Sequence, residues 1–359
     1  MATLFDPITL GAIEAPNRIL MAPMTRGRSD QTAVPNDLMR LYYKQRAGAG
    51  LIITESIGIS QQGLGWPNAP GIWNAEQVEG WKRITAAVHA ANGRIMAQLW
   101  HMGRLVHPSF LAGEAPVSCS ATTAPGHAYT YAGTAPYERA RALDLNEIPR
   151  IVDDYVRAAG NAINAGFDGV QLHAANGYLI DQFLRDSSNL RDDMYGGSVD
   201  NRIRLMLEIA KALCDEVGAL RVAVRLSPNG DAQGVDDSKP EILFTAAAAA
   251  LDKLGIAFLE LREPDASGTF GKTEVPRQSS LIRTVFKGPL ITNSDRTMAE
   301  AAAEIASGVA DAVSFGRPFI SNPDLPFRFA KGAELVPSDP ATWFSQGAEG
   351  YTSYPANPR

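Results

Sequence analysis

Residues 170–184 read VQLHAANGYLIDQFL. They set an imidazole, an amide and a phenol, His173, Asn176 and Tyr178, directly after a short apolar run. Imidazole and amide N–H groups can share one carbonyl oxygen or oxyanion, and a phenol can give up a proton. At the end of a strand the three would converge from a rigid base. Other apolar runs end in similar chemistry. Pro23, Met24 and Thr25 follow one, Ser56 ends another, and Gln98 and Trp100 close a third. Further along come Arg225 in VRLSPNG, Asn293 and Ser294 in ITNSD, and Gly316 and Arg317 in SFGRP. A polar side chain in an apolar strand is costly to bury unless something pairs with it. Polar groups at so many strand ends therefore imply a large polar ligand with apolar faces. Each residue alone has a plainer reading. His173 could be a satisfied core histidine, Arg225 a structural ion pair, Gln98 a buried amide, Arg317 a surface salt bridge, and Trp66 and Trp100 core aromatics. Their joint position at the ends of different strands favours a site.

The elements that must position these residues alternate along the chain. Strand-like runs fall at 19–24, 51–56, 95–99, 169–173, 222–226, 258–261, 290–293 and 312–315. Helical patterns lie between and after them, at 36–47, 75–91, 147–165, 201–217, 240–254, 279–286, 297–307 and 323–331. Such alternation implies parallel strands with helical crossovers. Eight units point to the α/β class and a (β/α)8 TIM barrel occupying residues 1–359 as a single domain. Residues 102–146, poor in period and rich in Ala, Pro, Gly and Thr, form the longest gap between strands. They leave the functional rim after the third strand, so a capping excursion is expected there. The loops NSDRT and GRPF follow the last two strands, where barrels of this class build a phosphate site. Gly316 would permit close backbone approach and Arg317 offers a planar cationic fork. A helix opening at Thr297 could aim free N–H groups at an anion. Together with Arg225, Gln98 and Thr25, these loops fit a phosphorylated ring system lying across the barrel mouth.

Composition narrows the alternatives. The net charge of -6 disfavours nucleic acid as the main partner. No uncharged apolar stretch approaches the ~20 residues of a membrane span. The start, MATLFDPITL, lacks the features of a secretory signal, so a cytoplasmic protein is expected. Cys119 and Cys214 form no CxxC, and the five histidines show no paired ligand spacing, so no metal is expected. GxGxxG, GxxxxGK[ST], GxSxG and HExxH are absent. None of the strand runs contains a lysine, which counts against Schiff-base chemistry.

At this point a family can be recognised. LFDPITLG, APNRILMAPMTRGR, YYKQRAGAGLIITE, QLWHMGR, AGFDGVQLHAANGYLIDQFL, YGGSVDNRIRL, VRLSPNG, DAVSFGRPFISNPDLP and EGYTSYP run through nearly the whole chain. With these stretches it resembles the Old Yellow Enzyme family of FMN-dependent ene-reductases, in its bacterial cyclohexenone and maleimide reductase branch. The resemblance implies non-covalent FMN, with NADPH or NADH as hydride donor in the same pocket and ping-pong turnover. It implies that Thr25 tunes the flavin, and that Pro23, Met24 and Ser56 contact its rings. Gln98 and Arg225 would meet its pyrimidine edge, and Asn293, Ser294, Gly316 and Arg317 would hold its phosphate. His173 and Asn176 would grip the carbonyl of an enone, enal or maleimide, and Tyr178 would deliver the proton. The partner of His173 is commonly a second histidine in one branch of the family and an asparagine in another, here Asn176, and many relatives carry tyrosine where this chain has Trp66. Trp66, Trp100, Phe270 and Tyr351 are expected to wall the substrate. Two rivals stay open: a flavin-free aldolase or isomerase on a phosphate-binding barrel, and a barrel kept as a ligand carrier. Monomer or dimer is also open.

Overall fold

The structure, a computed structural model, describes residues 2–268 and 271–356. Eight parallel strands close into a barrel: β1 (Ile19–Met21), β2 (Ile52–Gly58), β3 (Ile95–Trp100), β4 (Gly169–His173), β5 (Val222–Leu226), β6 (Phe258–Arg262), β7 (Leu290–Asn293) and β8 (Ala312–Phe315). The helices that follow them are α1 (Asp37–Gln45), α2 (Ala75–His89), α3 (Ile148–Asn164), α4 (Arg204–Val217), α5 (Pro240–Asp252), α6 (Ser279–Val285), α7 (Met298–Ser307) and α8 (Leu325–Lys331). This is the (β/α)8 barrel that the alternating runs predict. Among the described residues no helix is long and apolar enough to cross a membrane.

The helices form where apolar spacing and caps agree. α3 buries Ile148, Ile151, Tyr155, Ala158, Ala159 and Ala162, a stripe at helical period laid on the barrel. α2 opens with a capping box between Asn74 and Gln77. β1 stops at Met21, earlier than the sequence run. Ala22 N–H still bonds Phe315, but Pro23 has no N–H to continue the ladder. The helix expected from 201 is broken into Val199–Arg202 and α4, and a short helix, Arg317–Ser321, precedes α8.

The N-terminal hairpin, Ile8–Leu10 and Ile13–Ala15, plugs the bottom of the barrel, where Leu10 and Ile13 join Leu20, Ile53, Met96 and Phe258 in a buried cluster. Its turn residue Gly11 has φ +62°, and a Cβ there would stand 2.2 Å from the Leu220 carbonyl oxygen. At the other end, the excursion after β3 folds into a hairpin of His127–Thr130 and Gly133–Pro136 beside the mouth.

Candidate active site

A cavity of about 900 Å³ opens at the C-terminal ends of the strands. Its floor is built by strand alternation, with inward polar residues bonded in a chain across the barrel. Ser56 Oγ donates to Gln98 Oε1 (2.6 Å), Gln98 Nε2 to Gln171 Oε1 (2.8 Å), and Gln171 Nε2 to Glu260 Oε2 (2.8 Å). Ser314 Oγ donates to Glu260 Oε1 at 2.5 Å. A register shift in β2 between Ile53 and Ser56 sets Ser56 beside Gln98. Arg225 lies next to His173 and Glu260 in register. Its Nη2 donates to Asn293 Oδ1 (2.6 Å), and its Nε is 3.4 Å from Glu260 Oε2. That Nε is buried without a hydrogen-bond partner. Burial lowers the Arg225 pKa, and Glu260 opposes the shift.

The wall after β4 is different. His173, Asn176 and Tyr178 all line the cavity. Asn176 has φ +60° and Gly177 φ +78°, so two left-handed residues turn the chain sharply out of the strand. The turn is fastened from beneath. Buried Asp181 accepts from Gly177 N–H (2.8 Å) and pairs with buried Arg185 (2.8 Å). Arg185 donates in turn to the carbonyls of Ser227 and Gly230, and Ser227 Oγ accepts from Asn176 N–H. Above, His173 Nδ1 and Asn176 Oδ1 are buried without a hydrogen-bond partner among the described residues. Burial and the nearby Arg225 guanidinium hold the imidazole well below its usual pKa, so it is a neutral donor. The Tyr178 ring stands edge-on to both Trp100 (4.9 Å) and His173 (5.0 Å). Burial pushes its phenol up to about 12, against the side-chain hydrogen bond of Gln233, so the proton stays on through neutral pH.

Pro23, Met24, Thr25, Ser56, Gln98 and Arg225 line one stretch of the cavity, and Asn293, Ser294, Gly316 and Arg317 another. The Asn293 amide is engaged with Arg225 (through its oxygen) and with the Ser314 carbonyl (through one N–H, 2.8 Å). Arg317 lies over the Trp343 ring at 5.0 Å and 3.9 Å from Asp295. The helix at Thr297 departs from expectation. Its first turn is closed by a capping box, with the Glu300 carboxylate taking the Thr297 N–H at 2.8 Å. The Glu300 carboxylate therefore competes with a ligand anion for that N-terminus. Gly316 has φ -91°, and a Cβ there would meet only Met24, at 3.5 Å.

Two aromatics expected in the substrate wall lie elsewhere. Trp100 is fully buried and backs the Tyr178 ring instead of reaching the cavity. Tyr351 is fully buried and stacked flat on Tyr42, with ring centroids 4.0 Å apart. Arg26 and Arg28 lie 5.2 and 4.6 Å from the Tyr351 ring, and Arg46 covers the Tyr42 ring at 3.6 Å. This stack clasps the C-terminal segment: Arg28 donates to the carbonyls of Thr342 and Trp343, and Arg26 to those of Trp343 and Gly350. Trp343 and Phe344 reach the cavity in place of Tyr351. Trp66 does line it, packed on Tyr129 (4.9 Å) and Phe344 (5.3 Å). Phe270 lies outside the described residues.

Residues 3–335 match the family described as NADH:flavin oxidoreductase / NADH oxidase. The chain belongs to this family. A 12-oxophytodienoate reductase of Arabidopsis thaliana is 39% identical over 98% of this chain and 95% of its own. A chanoclavine-I aldehyde reductase of Penicillium roqueforti is 43% identical over 99% and 96%. Among solved structures, an old yellow enzyme homologue from Zymomonas mobilis superposes with a TM-score of 0.97 at 58% identity, covering 99% of both chains. Morphinone reductase in complex with tetrahydroNAD superposes at 0.94 with 43% identity, covering 100% of this chain and 98% of that one. The protein is thus an FMN-dependent, NAD(P)H-oxidising oxidoreductase of the Old Yellow Enzyme type.

Several site residues escaped the sequence reading. Gln171 and Glu260 carry the same mark as Gln98, a polar residue inside an apolar strand, and could have been found by it. Arg262, at the end of β6, could have been found in the same way. Gln233, Tyr137, Trp343 and Phe344 stand in irregular segments, where no period marks the inward face, and Tyr129 in the short hairpin of the excursion, which the sequence did not reveal.

Proposed function

We propose that this oxidoreductase reduces the electron-poor C=C bond of enones, enals, maleimides and nitroalkenes in a ping-pong cycle driven by NADPH or NADH. The observation that carries this reading is the convergence of neutral His173, Asn176 and protonated Tyr178 on one wall of the cavity, with no side-chain hydrogen bond of His173 or Asn176 among the described residues. FMN fits the cavity. Arg225 lines it as a buried cation whose charge Glu260 only partly offsets, and Ser294, Gly316 and Arg317 line the same cavity. Arg225 would meet the pyrimidine edge with Gln98, Thr25 would lie by the reactive nitrogen with Pro23, Met24 and Ser56 along the rings, and Arg317 would hold the phosphate with the loop Asn293–Ser294. The cofactor would supply hydride to the β-carbon. His173 and Asn176 would draw on the carbonyl oxygen, which makes that carbon electrophilic and supports the developing enolate. Tyr178 would then give its phenolic proton to the α-carbon. Trp66 and Phe344 would flatten the substrate in the cavity mouth. The whole chain acts as one FMN-binding domain, and its net charge of -6 agrees with a cytoplasmic protein that does not bind nucleic acid.

The test is anaerobic. The purified protein should be yellow, release FMN on acid precipitation, bleach on NADPH or NADH, and recover its colour on adding cyclohexenone. A colourless protein would favour the flavin-free barrel. A flavoprotein that bleaches but is reoxidised by no enone would defeat the proposal.

A further inference from the structure

We infer that Gln233, held in place by Arg104, is a positioning residue for the Tyr178 phenol and the Asn176 turn. This rests on the reading of Tyr178 as proton donor. Gln233 lies in the loop after β5 with φ +52°, a left-handed conformation that a glutamine seldom adopts unaided. Two neighbours hold it there. Arg104, buried in the turn after β3, donates from Nη2 to the carbonyls of Gln233 (3.2 Å) and Gly234 (2.9 Å) and from Nη1 to Thr122 Oγ1 (2.9 Å). Gly234 presses on the cap: a Cβ there would stand 2.4 Å from Pro125 Cδ.

So fixed, Gln233 Nε2 donates to the Asn176 carbonyl at 2.7 Å. A Cβ on Gly177 would lie 2.4 Å from the Ala232 carbonyl oxygen and 3.0 Å from Gln233 Cβ, so the two left-handed turns interlock. A primary amide carries two N–H groups. With one on Asn176, the other is left for the phenol, and the Gln233 side chain lowers the Tyr178 pKa against the effect of burial.

The chemistry gives this contact a role. When the Tyr178 O–H bond breaks and the new C–H bond forms on the α-carbon, a phenolate is left in a buried wall. The second Gln233 N–H, brought to the same cavity wall by the bond to Asn176, would stabilise that phenolate without reorganisation, until solvent returns the proton. Arg104 touches neither substrate nor phenol and acts only through Gln233.

The experiment compares wild type, Gln233→Leu, Arg104→Gln, Arg104→Lys and Tyr178→Phe as holoenzymes. Stopped-flow would follow flavin reduction by NADPH and reoxidation by cyclohexenone. The tyrosine ζ-carbon signal of each labelled protein, assigned through Tyr178→Phe, would be titrated. Gln233→Leu should slow reoxidation by about tenfold or more, well beyond any effect on flavin reduction. It should also move the Tyr178 titration to higher pH by about half a unit or more, since a donor to the phenolate is gone. Arg104→Gln should move both in the same direction, and Arg104→Lys, which can still reach the carbonyls, should recover part of the loss. Wild-type reoxidation with an unmoved Tyr178 titration in Gln233→Leu would overturn the inference. If Tyr178→Phe itself reoxidised at the wild-type rate, the proton-donor reading would fall instead.

Discussion

Tyr178 and Tyr351 belong to two regions that deliver aromatic side chains towards the same barrel mouth, and they end in opposite environments. Tyr178 follows a strand closely, on a turn bolted from below by Asp181, Arg185 and Ser227, and it lines the cavity. Tyr351 comes from a segment without strand or α-helix and is drawn under a stack of arginines, with its hydroxyl buried and unpartnered among the described residues. In the first region, rigid backbone below frees the polar atoms above for a ligand. In the second, the side chains themselves do the fastening, and the residues next to them, Trp343 and Phe344, are presented.

The same substitution in both regions should separate them most. Tyr178→Phe is expected to slow cyclohexenone reduction by roughly 10²–10⁴-fold while flavin reduction by NADPH persists. Because the phenol titrates at about 12, the wild-type rate of the alkene step should be flat across neutral pH and fall only as the phenol loses its proton on approach to that value. The neutral His173 should add no inflection around neutrality. An unchanged rate in Tyr178→Phe, read by stopped-flow, would erase the contrast.

A smaller effect, on stability, is expected from Arg46→Met. Arg46 is fully buried, and its guanidinium donates to the carbonyls of Tyr42, Phe319 and Ile320. Leaving those acceptors unpaired should cost about 3 kcal/mol in denaturant unfolding, with kcat of the folded, flavin-loaded fraction close to wild type. A large kcat defect with unchanged stability would show that the clasp takes part in the chemistry.

The smallest effect is expected from Tyr351→Phe. Its hydroxyl has no partner to lose, so stability should stay within ~1 kcal/mol of wild type and turnover should not change. A strong rate loss would return Tyr351 to the substrate wall.

The contrast also explains what could be seen in the sequence. β4, β5, β7 and β8 carry the bounds that their apolar runs indicate, and His173 and Arg225 there, like Gln98 in β3, were visible as polar interruptions of apolar runs. Strand period fixes which way such a residue points. No such rule governs residues 338–354 or the loop that holds Gln233, whose places depend on partners distant in sequence, as Arg28 and Thr342 are. Trp100 was misjudged although it ends a strand, because a strand end does not say whether a neighbouring ring stands in front. At the Thr297 turn, Glu300 of the same helix takes the Thr297 N–H, an occupant that the sequence reading did not weigh.

The polar chain across the barrel floor bears on how the molecule comes apart. Eight similar units invite division into halves that fold in turn. Glu260 of β6, however, receives its hydrogen bonds from β4 on one side and β8 on the other, and Gln98 of β3 extends the chain to β2. Either half in isolation would enclose a carboxylate or an amide stripped of its partner. Half-barrels cut from this sequence are therefore poor folding units, and the wheel of strands is expected to open cooperatively.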